Sequence, residues 1–242
     1  CDVLLGSSQA QLDLYRRYGF RDQPVSICPL FFDTRRIENF ESTIGDEFVC
    51  YGQARFEKGW HLLAPILRAA PEIRLVLPFY TSAVAERALR EFRLGEFAAQ
   101  GQVRVVKGVG WFSGVGAIVA GARGVIIPSI WPTTTEYTLL ESLGLGKPIV
   151  AFAVGIHAEA FRSGESGLLA PVGDAAAMAQ AVRLLKNDHA LGHSLSRGAR
   201  ELFSRLTDPE RFKTAFMQAL EEAAGAQPGG SRGSPTRLAH AA

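Results

Sequence analysis

Short apolar runs recur along this chain between longer stretches of helical spacing, and that rhythm limits the fold more than any other feature. Gly124–Ile127 and Pro148–Phe152 are unbroken in apolar character. A strand with one face in water alternates apolar and polar residues, so such runs mark strands covered on both faces, as in a parallel sheet. Strands are expected at Val3–Leu5, Val25–Pro29, Glu47–Tyr51, Arg74–Pro78, Val103–Lys107, Gly124–Ile127 and Pro148–Phe152, with Leu168–Ala170 at an edge. Helical spacing falls at Ala10–Tyr18, Gly59–Ala70, Ser82–Leu94, Gly114–Gly121, Thr134–Leu145, Ala175–Lys186 and His189–Leu206. Strand and helix in turn predict an α/β fold with an open parallel sheet and crossover helices on both faces.

At 242 residues, with 47% hydrophobic and 21% charged content, the chain is long enough for one large core or two small ones. Its formal charge of +2 comes from Arg232 and Arg237, in a stretch without acids, so the body is neutral. A neutral body lacks the broad basic field that nonspecific nucleic-acid or anionic-membrane binding needs, although a local anion site stays open. The cysteines Cys1, Cys28 and Cys50 are neither paired as C-x-x-C nor grouped with histidines. That spacing argues against a disulfide framework or a structural zinc site and makes a reducing cytosol the expected compartment. No apolar stretch approaches the roughly 20 residues that cross a bilayer. The first residues carry neither an initiator Met nor a signal-peptide charge pattern and read as a chain that begins inside a strand. Phe31–Gly45 interrupts the rhythm with Asp33-Thr34-Arg35-Arg36 and few aliphatics, which places a linker there, bounded as 34–46. From Gly225 the composition shifts to Gly, Pro, Ser and Ala, and 225–242 is expected to be a disordered tail.

The most informative passage runs from Pro128 to Val150. A strand ends at Pro128, a loop follows, and Thr133-x-x-Glu136 has the capping-box spacing that opens a helix. Leu139, Leu140 and Leu143 supply its apolar face, and Gly146 with Pro148 ends it. The helix amino terminus therefore lies beyond the carboxyl end of a strand, where ligands bind in open α/β sheets and where exposed amides favour phosphate. Glu141 on the second turn reads either as a salt-bridged or solvated helix residue or as a carboxylate satisfied by a ribose diol. Glu136 reads equally as the capping partner of Thr133.

A second cluster, Tyr51-Gly52-Gln53-Ala54-Arg55-Phe56-Glu57-Lys58-Gly59-Trp60, leaves a strand through Gly52 and enters a helix after Gly59. It sets Arg55 and Lys58 in a strand-to-helix loop, either as incidental surface charges or beside a diphosphate. Neither the dinucleotide fingerprint nor a P-loop is present. A third passage, Val154-Gly155-Ile156-His157-Ala158-Glu159, also follows a strand; His157 alone reads as a surface or capping histidine. Ser163–Gly167 reads as a turn.

In their order these passages resemble the donor-binding half of a GT-B glycosyltransferase, from the large retaining family four that uses nucleotide-activated sugars. Gly52–Gly59 resembles the family's Gly-Arg-x-x-x-x-Lys-Gly loop, and Pro128–Val150 its Glu-bearing helix ending in Gly-x-Pro-Val. Val154–Glu159 resembles its Gly-Gly-x-x-Glu turn, and Gly164–Asp174 its Gly-x-x-Gly-Leu-Leu-x-x-x-x-Asp segment. The resemblance implies a Rossmann-like donor domain over 47–206 and a hexosyl transfer with retention, in glycan, polysaccharide or glycolipid biosynthesis. Lys58, with Arg55, would stabilise the leaving phosphate; Gly52 and the amides of Thr134, Thr135 and Glu136 would meet phosphate and sugar. Glu141 would bind the ribose, and the main chain at Val106 and Val109 the base edge. No metal or other cofactor is implied, since cations and amides neutralise the phosphate.

Three positions depart from the family pattern. Thr133 stands where the first, sugar-contacting glutamate belongs, leaving Glu136 as the nearest acid. Gln53 replaces the loop arginine, leaving Arg55 as the nearest cation, and Leu77-Pro78-Phe79-Tyr80 replaces a Gly-x-Gly turn. The resemblance also implies an amino-terminal acceptor domain, of which residues 1–33 would be the remnant, and a return helix at 207–224. A cytoplasmic protein is expected, with contact to the inner membrane surface only through that domain. The alternatives are a non-catalytic nucleotide-sugar-binding or regulatory module and a flavodoxin-like domain that binds no ligand.

Overall fold

Every strand pairing in the described part of the chain is parallel, which is why the apolar runs are unbroken. The computed structural model describes residues 3–132 and 136–225. A small sheet pairs β1 (Leu4–Gly6) with β2 (Val25–Ile27) across α1 (Gln9–Arg17). The main sheet holds β3 (Phe48–Val49), β4 (Leu75–Phe79), β5 (Val103–Lys107), β6 (Gly124–Ile127), β7 (Ile149–Phe152) and β8 (Gly167–Ala170). Their order is β5-β4-β3-β6-β7-β8. Between the sheets lies one helical turn, α2 (Arg35–Glu38).

Side chains on a strand alternate between faces, so neighbouring apolar residues feed two cores. Phe48, Leu75, Leu77, Ile126 and Val150 point to one face. There they meet α3 (Leu63–Ala69), α4 (Ser82–Glu91) and α9 (Ala175–Asn187) through Leu63, Ile66, Ala85, Met178 and Val182. Val49, Val76, Val125, Ile127 and Ile149 point to the other face. They are covered by α6 (Gly116–Ala120), α7 (Tyr137–Gly144), α8 (Ile156–Ala160) and α10 (His189–Leu206) through Val119, Leu139, Leu143, Ile156 and Leu202. Asp174 and Asp188 cap α9 and α10 by accepting from Ala177 N and Leu191 N. A short α5 (Gly95–Ala99) follows α4, and α11 (Pro209–Gly225) packs back against β2.

Several local expectations are corrected. The helix expected over Ser82–Leu94 ends at Glu91, because Arg93 adopts φ 54°, and α5 follows as a separate turn. The helix expected from Gly59 opens as a 3-10 turn at Trp60–Leu62. The one expected at Gly114 is preceded by a π-helical turn, Trp111–Val115. The turn read over Val154–Glu159 instead contains α8.

The strand order places a switch between β3 and β6. The chain leaves β3 towards β4 on one side and returns to β6 on the other, so the connections after these two neighbours diverge and leave a crevice at their carboxyl ends. The two loops are clamped across it: Ile130 N and Trp131 N both donate to Glu57 O at 3.2 Å. Gly59, at φ 72°, packs so closely that a Cβ there would lie 1.7 Å from Pro128 O. Gly59→Ala is therefore expected to cost about 2 kcal/mol or more and to lower Tm by several degrees in thermal unfolding. Gly95→Ala, with open space around it, is the control; equal stability of the two variants would contradict the clamp.

Candidate functional site

A cavity of about 300 Å3 opens at this switch point. Gly52, Gln53 and Lys58 line it from the β3–α3 loop, Pro128 and Ser129 from the end of β6, and Glu136 and Thr138 from the start of α7. Gly52 turns the chain out of β3 with φ 104°, a conformation that side-chain-bearing residues rarely adopt. A wider hollow between α9 and α10, near Arg183 and His189, gathers no comparable set of groups.

Glu136 is the electrostatic centre of the cavity. Its Oε2 accepts from Lys58 Nζ at 2.7 Å, and its Oε1 lies 3.5 Å from Nε2 of His157, at the limit of hydrogen-bond range. Burial pushes the Glu136 carboxyl up, but His157 and Lys58 outweigh it and hold the group below its ordinary range. The His157 ring is wholly buried, and neither nitrogen has a conventional hydrogen-bond partner among the described residues. Cys50, at the base of the cavity, is pushed up strongly by burial and by Glu136, and so stays a neutral thiol.

One turn along α7, Glu141 is buried in a second ion pair. Arg36 on α2 grips Oε1 through both Nε, at 2.9 Å, and a terminal nitrogen. Tyr51, just beyond β3, donates to Thr138 O at 3.1 Å and approaches Glu141 Oε2 at 3.4 Å. The Arg36 guanidinium lies 5.0 Å from the ring centre of Tyr137 and 5.6 Å from those of Trp111 and Phe112. Trp111 Nε1 anchors the same residue by donating to Arg36 O at 2.7 Å. Burial raises the Glu141 carboxyl above its usual range even though Arg36 and Tyr51 pull it down. Burial and the neighbouring Glu141 raise the Tyr51 phenol.

The structure thus brings together Gly52, Lys58 and Glu136, with Glu141 on the adjacent turn. Thr133, Thr134 and Thr135 lie outside the described residues. The capping box is corrected, because α7 begins at Tyr137 and Glu136 occupies the N-cap position itself in extended conformation. Its carboxylate is drawn to Lys58 and His157 and makes no capping hydrogen bond to α7. Arg55 points to solvent beside Glu57 at 3.6 Å and does not line the cavity. Val106 and Val109 are also absent from its wall, and the Val109 amide donates to Phe79 O at 3.2 Å. His157, which reads as a surface or capping histidine, is in the interior. Arg36 and His157 carried no sequence signal of their roles, since each meets its carboxylate only through tertiary packing. Among the described residues no group of three or more His, Cys, Asp or Glu side chains could hold a metal ion, and no helix is long and apolar enough to cross a membrane.

The comparisons with known proteins bear on the family and the fold. The family described as "Glycosyl transferases group 1" matches residues 46–188. Glycogen synthase of Mycobacterium tuberculosis is 27% identical over 175 residues, covering 71% of this chain and 41% of that protein. Sucrose-phosphate synthase from Thermosynechococcus elongatus superposes with a TM-score of 0.78 at 21% identity, over 93% of this chain and 59% of the other. Anabaena HepE, solved in complex with UDP-glucose, superposes with a TM-score of 0.76 at 17% identity, over 93% of this chain and 64% of the other. The chain therefore spans about two fifths of the glycogen synthase and about three fifths of the solved structures.

The Arg36–Glu141 pair has a signature in stability. Without Arg36 the folded-state pKa of Glu141 rises still further above its unfolded value. The penalty vanishes at acid pH, where Glu141 is protonated in both states, and is complete once pH exceeds the raised folded pKa. Urea unfolding of Arg36→Met should show a loss of roughly 2–4 kcal/mol at mildly alkaline pH that shrinks on acidification. A penalty independent of pH would mean that Arg36 acts through packing alone.

Proposed function

The chain belongs to the group 1 glycosyl transferases, and from that premise we propose that it is the donor-binding half of an enzyme that transfers a hexosyl group from a nucleoside-diphosphate sugar with retention. The observation that carries this reading is the convergence of Lys58, Glu136 and the start of α7 at the β3–β6 switch point. UDP-glucose bound to the similarly folded HepE supports a nucleotide sugar as the donor class.

The chemistry follows from charge. As the glycosidic bond to the diphosphate breaks, positive charge grows on the anomeric carbon and negative charge on the leaving phosphate. Lys58 is the cation placed to meet that phosphate, and in doing so it exchanges the Glu136 carboxylate for the ligand. The amino terminus of α7 adds a dipole of the same sense. Glu136, still beside His157, then faces the sugar hydroxyls with a free carboxylate oxygen, in the role that Thr133 is unable to fill. Glu141 accepts from the ribose diol, sharing its oxygens with Arg36 and Tyr51. Cations and amides neutralise the phosphate, and the mechanism uses no metal. The acceptor site belongs to a further domain across the cleft, in a biosynthetic pathway of a glycan, polysaccharide or glycolipid.

A second reading, a module that binds nucleotide sugars without transferring them, is favoured by the outward orientation of Arg55 and by Gln53 at the loop arginine. Transfer or hydrolysis of radiolabelled donor by the full-length protein separates the two, since a pure binder does neither. For the shared premise, isothermal titration should show UDP or GDP binding that weakens roughly tenfold or more in Lys58→Ala and in Glu141→Ala, the loss expected for one charge-assisted hydrogen bond. Binding unchanged in both variants would overturn the site assignment.

A further inference from the structure

At the opposite edge of the same sheet, below the amino ends of β6 and β7, a second cavity of about 260 Å3 is lined by cations. Lys147 and Arg123 contribute to its wall and are only 1% and 3% exposed. Arg200 and His193 line it from α10. No Asp or Glu side chain lines it, and none of the ion pairs among the described residues involves Lys147, Arg123 or Arg200.

Buried charges in proteins are ordinarily paired with opposite charge, because the neutral interior solvates them poorly. Here neutral acceptors are the protein partners. Lys147 Nζ donates to Thr43 O and to Ala122 O. Arg123 donates to Leu185 O at 2.9 and 2.7 Å and lies 3.1 Å from His189 Nδ1. Arg200 spans Gly144 O and Leu145 O at 3.3 Å, at the carboxyl end of α7. Arg123 also donates to Lys186 O and Asp188 O at 3.1 and 3.2 Å, so it and Arg200 meet the carboxyl ends of α9 and α7, whose carbonyls orient the cations and offset their charge only in part. The wall is also shaped for a guanidinium: a Cβ on Gly146, which sits at φ 65°, would lie 2.5 Å from Arg200 Nε. Burial, with Arg200 close by, pulls the Lys147 ammonium down to about 8, so its charge is costly as the site stands.

We propose that this cavity binds a phosphate-class anion, either inorganic phosphate or the phosphate of a small sugar monoester, at a place separate from the donor crevice. The site stands independently of the proposed transfer activity. An anion there completes the charge balance of Lys147, Arg123 and Arg200, and ties α10 to the strand entrances of β6 and β7.

The test is a titration followed by amide resonances in two-dimensional NMR, with inorganic phosphate in one arm and glucose 1-phosphate in the other. It is run on the Lys58→Ala variant, so that the donor crevice does not compete. Saturable shifts at Gly146, Lys147 and Gly192 are expected, weakened roughly tenfold or more in Arg200→Gln and in Lys147→Met. Arg200 is exposed, so its variant keeps the assay interpretable if the Lys147 variant fails to fold. Tighter binding of glucose 1-phosphate assigns the ligand as a sugar monoester, and equal or weaker binding assigns inorganic phosphate. Shifts confined to the donor crevice, non-saturating shifts, or equal affinity in Arg200→Gln would overturn the proposal.

Discussion

The reversal of strand order between β3 and β6 is the constraint on which the candidate site depends. Two adjacent parallel strands send their chains in opposite directions, so their carboxyl ends have no loop crossing between them. That gap receives Lys58 from one loop and Glu136 from the start of α7. The loops would diverge without restraint; the carbonyl of Glu57 and the missing side chain of Gly59 hold them in register. Preorganisation of this kind keeps groups that are far apart in sequence within hydrogen-bond distance before any ligand arrives.

Charge is segregated across the sheet. The acids Glu136, partly buried, and Glu141, buried, sit at the carboxyl edge, and the buried cations Arg123 and Lys147 sit at the amino edge. A chain whose body is neutral by composition thus carries two cavities of distinct electrostatic character. At the carboxyl edge each acid already has a cation, Lys58 or Arg36, so a ligand there would meet paired and not bare charge. Arg36 also joins α2, between the two sheets, to the helix that bears Glu141. The β3–β6 crevice and the segment leading into it are in this way one electrostatic unit.

Much of the fold was legible because its signals are local. Unbroken apolar runs gave the covered parallel sheet, and both core faces follow from their alternation. Glycine and charge placement marked the Gly52–Gly59 loop and the strand-to-helix passage after Pro128. What sequence did not reveal depends on contacts across the fold. The Thr133-x-x-Glu136 spacing suggested a capping box, yet Lys58 and His157 lie beside that carboxylate and the helix starts later. Arg36 lies 105 residues from Glu141, in a segment that reads as a linker. His157 reads as a surface or capping residue because nothing local shows that α8 forms and turns it inward. Val106 and Val109 were placed by resemblance alone, and the cavity wall is built without them.

The central claim is that a nucleoside diphosphate occupies the β3–β6 crevice and exchanges for the internal partners of Lys58 and Glu141. Hydrogen-exchange mass spectrometry of the chain with and without UDP tests this most directly. The account expects slowed exchange in the Gly52–Gly59 loop and in the first turns of α7, together with a change at Arg35–Glu38 as Arg36 adjusts to share Glu141. Saturating UDP that leaves all three segments unchanged, or that protects another face of the sheet, would contradict it.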